Sequence, residues 1–234
     1  MSLISDNLQA VRADIHASAI AAGRDPQHIQ LLAVSKTFGA DAVIEAATAG
    51  QRCFGENYLQ EALDKIQQVQ AQAPQLVLEW HFIGPIQSNK TRPIAENFAW
   101  VHSVDRLKIA QRLSEQRPAS LPPLNICLQV NISGEESKSG VLPGEALAMA
   151  QQILALPGLK LRGLMAVPEA TDDLQQQRLA FRQMQQLSMQ MQAAGIALDT
   201  LSMGMSSDLH AAIAEGTTMV RIGTAIFGNR NYAK

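Results

Sequence analysis

Leu31-Leu32-Ala33-Val34-Ser35-Lys36-Thr37 is a short apolar run that ends on a lysine. Its unbroken apolar character, with no turn former inside it, predicts a buried strand over 31–35. Similar runs recur at 52–54, 79–83, 99–102, 124–130, 159–164, 199–202 and 218–222. Helical stretches lie between them, near 40–49, 57–72, 87–97, 105–116, 144–155, 173–194 and 207–215. Upstream, Leu8, Val11, Ile15 and Ala19 share one face of a first helix that Gly23 is placed to end. Gly50, Gly158, Gly195 and Gly216 follow other helices, where left-handed caps are wanted. Eight strands alternating with helices imply parallel pairing. Such units close into a (β/α)8 barrel of about 250 residues, and this chain has 234. The expected fold is therefore α/β, a single (β/α)8 TIM barrel with an extra N-terminal helix, forming one domain over 1–234. A doubly wound open sheet satisfies the same periodicity. The Pro-rich stretch 117–123 reads as a loop before the fifth strand.

Composition is that of an ordinary globular protein, with 47% apolar and 17% charged residues. A formal net charge of −2 does not mark a polyanion binder. No basic stretch alternates with aromatics as a single-strand nucleic-acid groove requires. Cys53 and Cys127 each sit in an apolar run and read as small buried side chains rather than a disulfide. No CxxC or Cys/His cluster marks a metal site. The first residues lack a basic segment followed by an apolar one, and no apolar run approaches the ~18 residues of a membrane span. The cytoplasm is the expected address.

In a barrel, chemistry belongs at the carboxyl ends of the strands, and the polar residues concentrate there. Lys36 ends the first strand. Removing an ammonium from water is costly, so burial there favours the neutral amine. A neutral amine condenses with carbonyls to a Schiff base; a lysine that leaves the strand for solvent or an ion pair is the alternative. Ser202-Met203-Gly204-Met205-Ser206-Ser207-Asp208 opens a helix after the seventh strand. Ser206 or Ser207 can cap that helix, or the loop can bind an anion. Arg221-Ile222-Gly223-Thr224, at the last strand, adds a close-approaching backbone and a hydroxyl. Barrels often hold phosphate between these two loops. Asn57 is either a turn residue or a ligand contact. His81 reads as a hydrogen-bonded core histidine, Glu56 as the partner of a nearby cation, and helix 173–194 as solvated outside and adaptable inside.

A carbonyl-reactive lysine, a phosphate cradle and an arginine at the last strand together suggest pyridoxal phosphate. The chain closely resembles the YggS/PROSC-type pyridoxal phosphate homeostasis proteins in the runs 32–37, 54–58, 80–90, 131–133, 138–140, 201–206 and 220–228. These runs span almost the whole chain. The resemblance implies an alanine racemase N-terminal-domain barrel, fold type III, with pyridoxal 5′-phosphate (PLP) in aldimine linkage to Lys36. It also implies that Ser206, Gly223 and Thr224 hold the phosphate, Arg221 faces the pyridine nitrogen and Asn57 lies beside the ring.

Arginine only donates hydrogen bonds, so a ring nitrogen facing Arg221 stays unprotonated and the electron sink is weakened. Racemases of this type also use a tyrosine brought by a second domain across a dimer. The sequence stops at Lys234, and its only tyrosines, Tyr58 and Tyr232, stand in no matching context. The expectation is a monomeric PLP-binding protein that holds the cofactor and supplies it to apoenzymes, without strong catalysis. Lys138 and Lys234 are candidate second amines for release, or plain exposed charges. The rival readings are a weak amino-acid racemase, a class I aldolase acting on a phosphosugar, and a regulatory module.

Overall fold

The computed structural model describes residues 2–135 and 138–229. Tyr232, Lys234, and Glu136 and Ser137 of the 134–140 loop lie outside the described residues. The strands are β1 (Gln30–Val34), β2 (Cys53–Glu56), β3 (Glu79–Phe82), β4 (Trp100–Val104), β5 (Leu124–Gln129), β6 (Leu159–Met165), β7 (Thr200–Ser202) and β8 (Met219–Ile222). All pair in parallel with their sequence neighbours, and β1 closes on β8. The open-sheet alternative is thereby removed.

The helices are α1 (Leu3–Ala21), α2 (Ala40–Thr48), α3 (Leu59–Gln72), α4 (Thr91–Asn97), α5 (Leu107–Gln116), α6 (Pro143–Leu154), α7 (Leu174–Ala193), α8 (Leu209–Ala214) and α9 (Thr224–Phe227). Helix α1 buries the four residues of its expected face and starts where the Ser2 hydroxyl accepts from the Ser5 amide. It is tied to the last elements of the barrel. Arg24 donates to the carbonyls of Ile213 and Thr217, each at 2.7 Å, and Asn7 donates to that of Ile226 at 2.9 Å. Two departures from the expected pattern stand out. The helix expected near 87–97 begins with a 3₁₀ turn, Ser88–Lys90, so α4 starts at Thr91 and keeps Pro93 in its first turn, where a missing N–H costs nothing. Thr224, read as the end of the last strand, instead opens α9.

The chain builds two apolar clusters. The larger lies between strands and helices and includes Phe54, Phe82, Phe98, Ile109, Leu113 and Phe181. The smaller, Trp100, Cys127 and Met165, lies apart from it. The strands were expected as buried apolar runs. Instead Glu79, His81, His102, Ser202 and Arg221 are linked by hydrogen bonds across the barrel. Both cysteines are free thiols. Outside the barrel, Glu215 accepts from Arg178 at 2.7 Å and from Arg182 at 2.9 Å, clamping α7 to the end of α8. Among the described residues, no helix is long and apolar enough to cross a membrane.

Candidate functional site

A cavity of about 410 Å³ opens at the carboxyl ends of the strands. Its lining contains Lys36, Asn57, Ser206, Arg221, Gly223 and Thr224 together, with Val34, Ile83, Met165 and Val167 as apolar wall. Six residues from the carboxyl ends of four strands, β1, β2, β7 and β8, thus converge on one space.

Lys36 is half-buried and stands two residues beyond the end of β1. That corrects the expectation of a strand-buried amine: the barrel wall has ended, and the side chain faces a cavity open to solvent. The backbone around it is held firmly. Ser35 is fully buried and donates its hydroxyl to Glu56 Oε1 at 2.6 Å. Lys65 of α3, itself 3% exposed, donates to the Ser35 carbonyl at 2.8 Å, to Glu56 at 2.6 Å and to Glu61 at 3.0 Å. Glu61 in turn accepts from the Thr37 amide at 2.6 Å. Thr37 has φ of 70°, a left-handed conformation that a β-branched residue adopts only when its surroundings impose it. Glu56 therefore does pair with a cation, as expected. Burial pushes its carboxyl above the usual range, and Lys65 opposes that shift.

Asn57 follows β2 at the cavity wall. Its Oδ1 is buried without a hydrogen-bond partner, as is Glu56 Oε2. A buried acceptor left open is costly, so each marks a place for a water or ligand donor. Gly84 packs so tightly here that an added Cβ would lie 2.1 Å from the Asn57 carbonyl oxygen.

Arg221 forms part of the cavity lining and is 5% exposed. It donates to the Ser202 carbonyl at 2.6 Å, to Ser202 Oγ at 2.8 Å and to the Ala166 carbonyl at 2.9 Å. Burial lowers its pKa to about 10, with Asp208 and Cys127 acting the other way. Ser202 Oγ lies 2.8 Å from His102 Nδ1; His102 Nε2 lies 2.9 Å from His81 Nδ1; His81 Nε2 lies 2.9 Å from Glu79 Oε1. His81 is thus the hydrogen-bonded core histidine expected. Burial pushes both imidazoles below their usual range, His102 furthest because neighbouring His81 and then the Arg221 charge add to it. Sequence reading missed Ser202 as the partner of Arg221 and His102 as the partner of Ser202 behind it. These inward polar residues alternate with outward apolar neighbours, so the short strands still read as apolar runs.

The loop after β7 is fastened by Asp208, whose Oδ1 accepts from the Met205 amide at 2.5 Å. Neither serine caps α8; Asp208 occupies that position, without a side-chain cap bond. Ser206 and Ser207 instead line the cavity. After β5, Asn131 donates to the Glu135 carbonyl of its own loop at 2.7 Å, and Ser133 Oγ accepts from the Glu169 amide of the loop after β6 at 3.1 Å. Lys138 pairs with Glu135 at 2.7 Å and lines an adjoining space that shares Ile83, Met165 and Val167 with the main cavity. At the opposite mouth, Cys53, Glu79 and His81 bring one ligand-type atom each within 4.8 Å of one another, a grouping that linear spacing did not reveal.

The family profile described as "Alanine racemase, N-terminal domain" matches residues 7–231. The chain is 62% identical over 232 residues to a Pseudomonas aeruginosa protein named pyridoxal phosphate homeostasis protein, covering 99% of this chain and 98% of that one. The chain belongs to the pyridoxal phosphate homeostasis protein family. A solved structure resembling this family member is PipY of Synechococcus elongatus with PLP bound, at 36% identity and a TM-score of 0.81, covering 96% of this chain and 100% of that one. The fold that the homeostasis family uses extends further: an alanine racemase of Clostridium difficile superposes with a TM-score of 0.73 at 16% identity, over 97% of this chain and 58% of that one. The last likeness shows the shared barrel alone.

Proposed function

We propose that this protein holds PLP, joined through its aldehyde to the Lys36 amine with loss of water, and keeps and hands on the cofactor rather than turning over substrate with it. The carrying observation is that Lys36 and Arg221 line one cavity with Ser206, Gly223 and Thr224 between its last two loops. That set fits the ligand's chemistry. An amine meets a carbonyl, a buried donor-only cation meets a ring nitrogen, and hydroxyl and backbone groups meet a phosphate. The open acceptor on Asn57 offers a further contact beside the ring. PLP bound there supplies an electrophilic carbonyl and an electron sink. Arg221 keeps the ring nitrogen an acceptor and so weakens that sink.

The described cavity lining supports carriage over racemisation. Among the described residues lining the cavity there is no Tyr, His, Asp, Glu or Cys. Tyr58 is 51% exposed and lies outside that lining. The reading brings with it a monomeric single-domain barrel over 1–234, acting in the cytoplasm and meeting apoenzymes transiently. Lys138, ion-paired with Glu135, remains a candidate second amine for release or a plain exposed charge.

The test is reduction of the PLP-loaded protein with borohydride, followed by peptide mass analysis. The expected result is bleaching of the visible band and a modification confined to the Lys36 peptide; modification elsewhere overturns the assignment. Incubation with L-amino acids in deuterated water is expected to show no α-proton exchange at catalytic turnover. Such exchange would replace the carrier reading by that of a racemase-like enzyme. A colourless protein that traps a sugar phosphate would point to an aldolase.

A further inference from the structure

Glu79, His81, His102, Ser202 and Arg221 form one unbroken file of hydrogen bonds from the amino-terminal mouth of the barrel to the cavity. The direction of every bond follows from valence. A carboxylate only accepts, so His81 Nε2 donates to Glu79. Both imidazoles are wholly buried, and a neutral imidazole carries one proton. His81 Nδ1 is then an acceptor, and His102 Nε2 must donate to it. His102 Nδ1 accepts in turn, so the Ser202 hydroxyl donates to it. Ser202 Oγ is left to accept from Arg221, which can only donate. The assignment from the anionic end therefore meets the cationic end without conflict. The ring of His81 is further held by stacking on Trp100, 5.3 Å between centroids and 7° between planes.

Two consequences follow. Hydrogen bonds aligned head to tail polarise one another, so the file behaves as one unit. The acceptors of Arg221 described above are two carbonyls and a hydroxyl, none of them an anion. The carboxylate that terminates its file is Glu79, at the far mouth, whose side chain is 40% exposed. The direction also argues against a cation on Cys53, Glu79 and His81, because the file commits His81 Nε2 to a proton.

We infer that the file is a positioning device in which Glu79, at the opposite end of the barrel, orients the Arg221 guanidinium and thereby sets how firmly the ring nitrogen of PLP is held. The inference rests on the proposed cofactor reading, and nitrogen NMR on the cofactor-free protein separates the two. Both His81 and His102 are expected as the Nε2–H tautomer. Either one as the Nδ1–H tautomer, or as an imidazolium, overturns the file regardless of PLP. In the loaded protein, Glu79→Gln keeps an acceptor for His81 but removes the charge. It is expected to raise the Kd for PLP about threefold and to move the visible band, with thermal unfolding unchanged. Ser202→Ala, which removes the joint itself, is expected to raise it about tenfold. An unchanged Kd in Glu79→Gln overturns the inference, as does a raised Kd with the band unmoved. Failure of the parent protein to bind PLP would sink the cofactor reading, while the tautomers still decide the file.

Discussion

The two mouths of the barrel are both polar, yet only one is left incomplete. At the amino-terminal mouth a space of about 250 Å³ is lined by Gln30, Trp100, Arg162, Asp199 and Thr218. There the polar groups answer one another. Arg162 donates to Asp199 at 2.9 Å and to Asn125 at 3.0 Å while lying 4.6 Å over Trp100, and Gln30 donates to Cys53 at 2.8 Å. At the carboxyl-terminal mouth, buried acceptors on Glu56 and Asn57 are open. Polarity alone does not mark a binding site; polarity that the fold has not satisfied does.

The sharpest way to break that contrast is at the support beneath Lys36. Lys65→Met would leave Glu56 buried beside an apolar chain, and is expected to cost about 3–5 kcal/mol in urea unfolding. That loss should shrink as falling pH protonates Glu56, whose carboxyl burial already raises. Next comes Lys36→Ala, expected to abolish the visible band and weaken PLP binding by about two orders of magnitude in equilibrium titration. Ser206→Ala should weaken PLP about tenfold, with a smaller effect on pyridoxal, which lacks the phosphate. Its counterpart at the other mouth, Arg162→Ala, should leave PLP affinity at the parent's value and cost only about 1 kcal/mol of stability. Equal effects of these two variants on affinity would erase the distinction between the mouths.

The smallest expected effect is a pH dependence of stability. Hydrogen bonds from Arg182, then Arg178, hold the Glu215 carboxyl below its usual range. A depressed carboxyl stabilises the fold above the ordinary carboxylate range, and that contribution is lost as pH falls through its lowered value. Glu215→Gln should therefore flatten the acid limb of the stability profile while leaving PLP affinity unchanged, as measured by thermal unfolding across pH.

The strand positions were legible because barrel strands pack apolar residues against the surrounding helices, which leaves a short dense run in the sequence. The face of α1 was legible for the same reason, through period 3.6. Lys36, Arg221 and the two last loops could be read because chemistry in this architecture sits at strand ends. The polar file inside the barrel could not be. In strands of four or five residues, inward His81 and His102 alternate with outward apolar neighbours and do not interrupt the apolar run. Lys65 was equally hidden. It lies on an amphipathic helix, where a lysine reads as solvated, and only the tertiary fold brings it to 2.6 Å from Glu56.

Gly84 carries a consequence for how this chain can vary. Any side chain there would collide with backbone rather than with a movable neighbour, since the Asn57 carbonyl lies where a Cβ would go. Drift at position 84 would therefore displace Asn57 even though glycine contributes no functional group of its own. Mutational tolerance around the pocket should thus be lowest at a residue without chemistry, and libraries aimed at altering ligand preference should leave it untouched.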